Sequence, residues 1–168
     1  MVTKKGFTLI EILVVIGVLA IIVVVGSTSF FNLLKGSTKT RTASLVKQNG
    51  DYTLAIMERM IRNGEIIENS DGQTCDLGMP KIKISNPDGK ETEFSCIDNN
   101  PISSNSAKLI SDQITVNNCL FDCQEGGYFD PDVVTIDFTL SIGSPTQPEG
   151  FATLRFKTTV VLRNISED

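Results

Sequence analysis

The chain has 168 residues, enough for one compact domain and an attached segment, and its 20 acidic and 15 basic side chains give a formal charge of −5. That balance argues against a nucleic-acid surface, since phosphate binding rests on lysine and arginine. There is no histidine, which removes the commonest general base and metal ligand and excludes Ser-His-Asp and Cys-His catalysis within the chain. The carboxylates form no recognisable catalytic pair, so the composition predicts no enzyme, no cofactor and no metal.

The chain opens on Lys4-Lys5-Gly6-Phe7-Thr8-Leu9-Ile10-Glu11, and an apolar run from Ile12 to Val25 follows. Glu11 is out of place for an ordinary membrane segment. A charged side chain within a spanning helix costs about 2.5–3.5 kcal/mol on insertion scales, so an intramembrane carboxylate calls for a function and a partner. The basic leader, Gly6, Phe7, the T-L-I-E that follows and the apolar run resemble the class III leader of type IV pilins and type II secretion pseudopilins. The resemblance covers about the first thirty residues.

The resemblance implies that a prepilin peptidase cuts between Gly6 and Phe7 and methylates the new amine on Phe7. It also implies that Glu11 governs assembly. Other pilin or pseudopilin subunits, an inner-membrane platform and its ATPase would be partners, with membrane lipid before assembly. Physical chemistry agrees with that role. The amine stays cationic after methylation, and Glu11 of one subunit can neutralise the Phe7 amine of a neighbour, so two isolated charges become one pair in an apolar core. Two plainer readings stand beside this one. Ser27-Thr28-Ser29 can pass for a secretory cleavage site, and the run can be a plain anchor with an incidental Glu11.

The leader resemblance divides the chain into a removed leader (1–6), a transmembrane or filament-core helix (7–31), an amphipathic continuation (32–64) and an exported β-sheet head (65–168). The helical signal runs from Phe7 to about Asn63, which is about 85 Å of helix. Gly26-Ser27-Thr28-Ser29 is its weak point, and a loosened turn is expected there. Between Leu45 and Arg62, Leu45, Val46, Tyr52, Leu54, Ile56, Met57, Met60 and Ile61 fall in one broad arc, which predicts packing on a sheet. Asn63-Gly64 is the stop signal.

Charge is unevenly spread. Residues 7–62 carry six basic and three acidic side chains, and residues 63–168 carry seven and seventeen. Lys35, Lys39, Arg41 and Lys47 compete with Lys4 and Lys5 in the positive-inside count, so charge alone leaves the orientation open. The leader resemblance and the cysteines put the head outside.

Beyond the helix the patterns are β. Lys81–Ser85 and Glu91–Cys96 flank Asn86-Pro87-Asp88-Gly89, a hairpin turn signal. Residues 98–107 read as polar loop, and 113–116 as a third strand. Residues 134–142 and 152–162 alternate strictly and are the clearest strands. The fold class expected is α+β and pilin-like, with a long N-terminal helix packed on one antiparallel sheet of four to five strands.

The ending, Phe156 to Asn164, resembles that of some minor pilins and J-type pseudopilins, though Glu11 argues against a tip subunit that typically lacks it. Asp71 and Asp130-Pro131-Asp132 read as turn aspartates rather than a calcium loop. Asn164-Ile165-Ser166 fits a glycosylation sequon.

Cys75, Cys96, Cys119 and Cys123 all follow the helix, and an even number in an exported head favours disulfides. Their order predicts Cys75–Cys96 across the hairpin and Cys119–Cys123 across a short bulged loop. A four-thiolate zinc site is the rival, weakened because only Cys119 and Cys123 come near knuckle spacing. Two functions are therefore carried forward. One is a structural subunit that is cut, methylated and polymerised through its helix. The other is a membrane-tethered adhesin or binding domain that does not polymerise.

Overall fold

The computed structural model describes Gly6, 8–69, Gly72, 76–127 and 130–163. One helix and eight strands make it up, and the chain divides into two units, 1–38 and 39–168. The helix α1 runs over Leu9–Arg62, 54 residues without a break.

Between Ile12 and Val25 α1 is apolar on every side. The large side chains from Leu9 to Val25 are all half or more exposed. The turn expected to loosen at Gly26–Ser29 does not. Ser27 Oγ donates to the Val23 carbonyl at 2.7 Å, and Thr28 and Ser29 donate to the Val25 carbonyl at 2.9 and 3.1 Å. The hydroxyls that would compete with helix find acceptors one turn back inside it.

In the second unit α1 buries Val46, Gly50, Thr53, Met57 and Ile61, spaced to form one face. This face is narrower than the predicted arc. Leu45 and Tyr52 lie on its flank and are exposed, whereas Gly50 and Thr53 hold its centre. Close packing explains the shift, since a Cβ on Gly50 would run into the ring of Phe156.

Strands β1 (Ile66–Glu68), β2 (Lys81–Ser85), β3 (Glu91–Ser95), β4 (Ser103–Ser104) and β5 (Ala107–Lys108) form an antiparallel sheet in sequence order. The predicted hairpin is there: Ile82 faces Phe94, and Asn86 and Lys90 close the turn around Gly89, whose φ is 76°. Strands β4 and β5 lie in the stretch expected to be loop. Asn105 and Ser106 join them, both with the positive φ that a two-residue hairpin turn needs.

Strands β6 (Thr115–Gln124), β7 (Val133–Ile142) and β8 (Ala152–Val161) form a second antiparallel sheet with β7 in the middle. The expected α+β, pilin-like class is found, a long N-terminal helix with antiparallel sheet, and the strands divide between two sheets, of five and three, instead of lying in one of four or five. Strand β6 is longer than predicted because its register slips between Asn117 and Leu120, with Asn118 at φ 49°. A bulge of this kind interrupts the alternation from which strands are read. Met79 and Phe121 exchange backbone hydrogen bonds of 2.8 and 2.9 Å and tie the segment before β2 to β6. Ile82, Ile84 and Phe94 of one sheet and Phe121, Ile136, Phe138 and Leu140 of the other share one core with the buried face of α1.

Candidate processing and assembly site

The site begins at the first turn of α1. Thr8 precedes the helix, and its amide donates to Glu11 Oε2 at 2.9 Å. The Thr8 hydroxyl donates to the same oxygen at 2.9 Å, and the Glu11 amide donates back to the hydroxyl at 3.3 Å. This is a reciprocal capping box, T-x-x-E, in which two orphan amides of the first turn are satisfied by each other's side chains. The T-x-x-E spacing of Thr8 and Glu11 is the sequence signature of this cap. Only Oε2 takes part in these bonds, so the carboxylate has acceptor capacity left for a donor from outside.

Gly6 is exposed, and a Cβ built on it meets nothing within 4 Å. Among the described residues nothing packs against position 6. Phe7, the expected methylated residue, lies outside the described residues, as do Lys4 and Lys5.

After Glu11 the next charged residue is Lys35, leaving 23 uncharged residues on a helix that is long and apolar enough to cross a membrane. Residues 1–27 match the family model of the prokaryotic N-terminal methylation motif. The chain carries a class III prepilin leader. No curated protein and no solved structure matches the chain. The leader is that of type IV pilins and pseudopilins, and it implies processing by prepilin peptidase and assembly with other pilin subunits. With the apolar helix it fits a membrane-anchored pilin.

The cysteines are joined differently from the expectation. Cys96 is bonded to Cys119, with Cα atoms 5.3 Å apart, and Cys123 is also disulfide-bonded. Cys75 lies outside the described residues. The predicted Cys75–Cys96 and Cys119–Cys123 pairs are both overturned by the Cys96–Cys119 bond. The physical reason is the length of β6. Cys119 and Cys123 sit four residues apart on one strand, about 13 Å at strand rise, which is beyond the reach of a bridge. The bulge at Asn118 instead turns Cys119 toward the end of β3. Asp98 Oδ1 accepts from the Cys119 amide at 2.9 Å, and the Asn99 amide donates to the Val116 carbonyl at 3.0 Å. A zinc site of four thiolates is incompatible with that bond.

The acidic turn has a structural use. Asp132 Oδ1 accepts from the Gly126 amide at 2.9 Å, and its carbonyl accepts from the Leu162 amide at 3.0 Å. Asp71 and the sequon Asn164–Ser166 lie outside the described residues. Among the described residues no group of three or more His, Cys, Asp or Glu is placed to hold a metal ion.

Proposed function

We propose that the chain is a structural subunit of a type IV pilus or a type II secretion pseudopilus. It is cut between Gly6 and Phe7, methylated on Phe7, and held in the cytoplasmic membrane by α1 with the cysteine-bearing unit exported. It then polymerises through that helix with an ATPase-driven platform as partner. The observation that carries the reading is the methylation motif over residues 1–27, set on the start of a helix whose large apolar side chains from Leu9 to Val25 are all exposed. Lipid covers such a helix before assembly and neighbouring helices cover it afterwards, so the transfer itself is close to neutral. Register then rests on polar contacts. Glu11 keeps its own capping box and offers its remaining acceptor capacity to the Phe7 amine of a neighbour.

The test separates the cap from the charge. Glu11→Gln retains an acceptor for the Thr8 amide and removes the charge, whereas Glu11→Ala removes both. Both variants are expected to be processed and to remain in the membrane fraction. Both are expected to be depleted from sheared filaments or cross-linked pseudopili. If Glu11→Gln enters filaments as well as wild type does, the carboxylate serves only the cap. Equal entry of Glu11→Ala, in cells expressing only the variant, returns the chain to a tethered domain that does not polymerise.

A further inference from the structure

Among the described residues of the unit 39–168 the two most exposed large apolar side chains are Leu77, 66% exposed, and Tyr52, 56% exposed. They lie on different elements, and each has a charged rim of opposite sign.

Leu77 is held out by its loop. Its own amide donates to Asp76 Oδ1 at 2.7 Å, the Gly78 amide donates to Asp122 Oδ1 at 2.8 Å, and Met79 is paired with Phe121. Gly78 has φ 69°, which suits glycine. Three successive amides are satisfied, so the turn is fixed and cannot fold the leucine inward without giving up bonds. Asp76 and Asp122 flank it, and the Cys123 amide donates to the Asp76 carbonyl at 2.9 Å, which brings the end of β6, with Glu125 just beyond it, to the same edge; no ion pair to any of these carboxylates is found among the described residues.

Tyr52 belongs to a seam on the solvent side of α1. Arg41, Leu45, Gln48, Tyr52, Ala55 and Arg59 follow a 4-3-4-3-4 spacing and are all exposed. Between its two arginines the seam carries Leu45, Tyr52 and Ala55 with one uncharged polar residue, Gln48. Lys47 and Asp51 pair with each other at 2.8 Å beside it and leave its charge positive.

We propose that the Leu77 turn of one copy docks on the Arg41–Arg59 seam of a second copy of this chain. Leu77 meets Leu45 and Tyr52, and the carboxylates beside it face Arg41 at one end of the seam. Charge complementarity of this kind selects the partner and fixes register. The two surfaces are different patches of one chain, so the contact is heterologous and propagates instead of closing into a dimer. The proposal rests on the filament-subunit reading and names a contact within it.

The experiment uses the full chain in cells that assemble it. A photo-reactive p-benzoylphenylalanine replaces Leu77, filaments are sheared and irradiated, and the dimer band is digested and mapped. Cross-links are expected in the α1 peptide around Tyr52 of a second copy, distinguished from the same copy by mixing isotope-labelled chains. In parallel, Arg41→Glu is expected to lower filament content about tenfold, since like charges then face each other, and Glu125→Lys combined with it is expected to recover most of the loss. Filaments that form normally but cross-link position 77 elsewhere, or to another protein, overturn the contact and leave the subunit reading standing. Absence of any filament from the wild-type chain overturns the subunit reading and the contact with it.

Discussion

The ring of Phe156 on β8 fills the space that a side chain on Gly50 of α1 would need. Phe156 stacks on Phe138 of β7, with ring centroids 5.3 Å apart and planes at 22°. One glycine in the middle of a helix thus lets the three-stranded sheet approach the helix backbone. Two effects oppose each other on Gly50→Ala. Helix propensity gains about 1 kcal/mol. Overpacking against a ring held on both sides costs about 1–3 kcal/mol. The sheet side is expected to win, and the variant to melt below wild type. Adding Phe156→Leu opens the space and is expected to bring part of the loss back. A Gly50→Ala variant that melts above wild type would show that the ring yields easily.

The mature amino terminus is expected at N-methylated Phe7. Intact mass and terminal sequencing of the membrane fraction test this directly. Gly6→Val is expected to block processing without disturbing the fold, because among the described residues nothing lies near a side chain at position 6. A mature terminus near Phe30, or retention of Met1, contradicts the leader reading.

Non-reducing peptide mapping is expected to recover the Cys96–Cys119 link. Cys123 is bonded too. Replacing Cys96 and Cys119 together by alanine is expected to cost about 3 kcal/mol, from loop-closure entropy for a loop of this size. Denaturant titration of the paired variant measures that loss. A Cys119–Cys123 peptide in the map would contradict the geometry of β6.

Asp137 on β7 is nearly buried and accepts two bonds from the Arg155 guanidinium, at 2.8 and 2.5 Å, with Lys157 3.7 Å away. The Arg155 bonds hold its carboxyl below the ordinary aspartate range, more strongly than burial pushes it up. A depressed folded value stabilises the protein above the ordinary pKa of about 3.9, and that stability disappears as pH falls through the folded value. Wild type is therefore expected to melt above Asp137→Asn near neutral pH, with the gap closing in strong acid. Arg155 is two-thirds exposed, so the gap is expected to be small and to narrow with added salt. Melts of both proteins across pH measure it, and a gap that stays constant contradicts the assignment.

What was legible in the sequence follows from periodicity. The extent of α1, the β2–β3 hairpin and strands β7 and β8 all show in their patterns, since each has one face in the core or a strong turn between strands. Strands β4 and β5 are two residues each and too short for alternation to register. Strand β6 is interrupted at Asn118, so its outer half was missed, and with it the partner of Cys96. The helix face was read too wide because apolarity alone does not say which positions a ring needs empty. At the amino terminus Gly6, Phe7 and Glu11 stand out by resemblance alone, and the methylation motif over residues 1–27 spans all three. The capping role of Glu11 lay in the T-x-x-E spacing and needed only the local reading.

The Cys96–Cys119 bond has a mechanical consequence. It joins the end of the β3 strand to β6 and so brackets residues that are 23 apart in sequence. Fully drawn out, such a stretch would lengthen the chain by about 80 Å. Under tension applied to the two ends of the unit 39–168, that length stays locked while the bond is oxidised, whatever becomes of the sheets around it. A single-molecule pull with and without reductant would read the bond as a missing increment of extension.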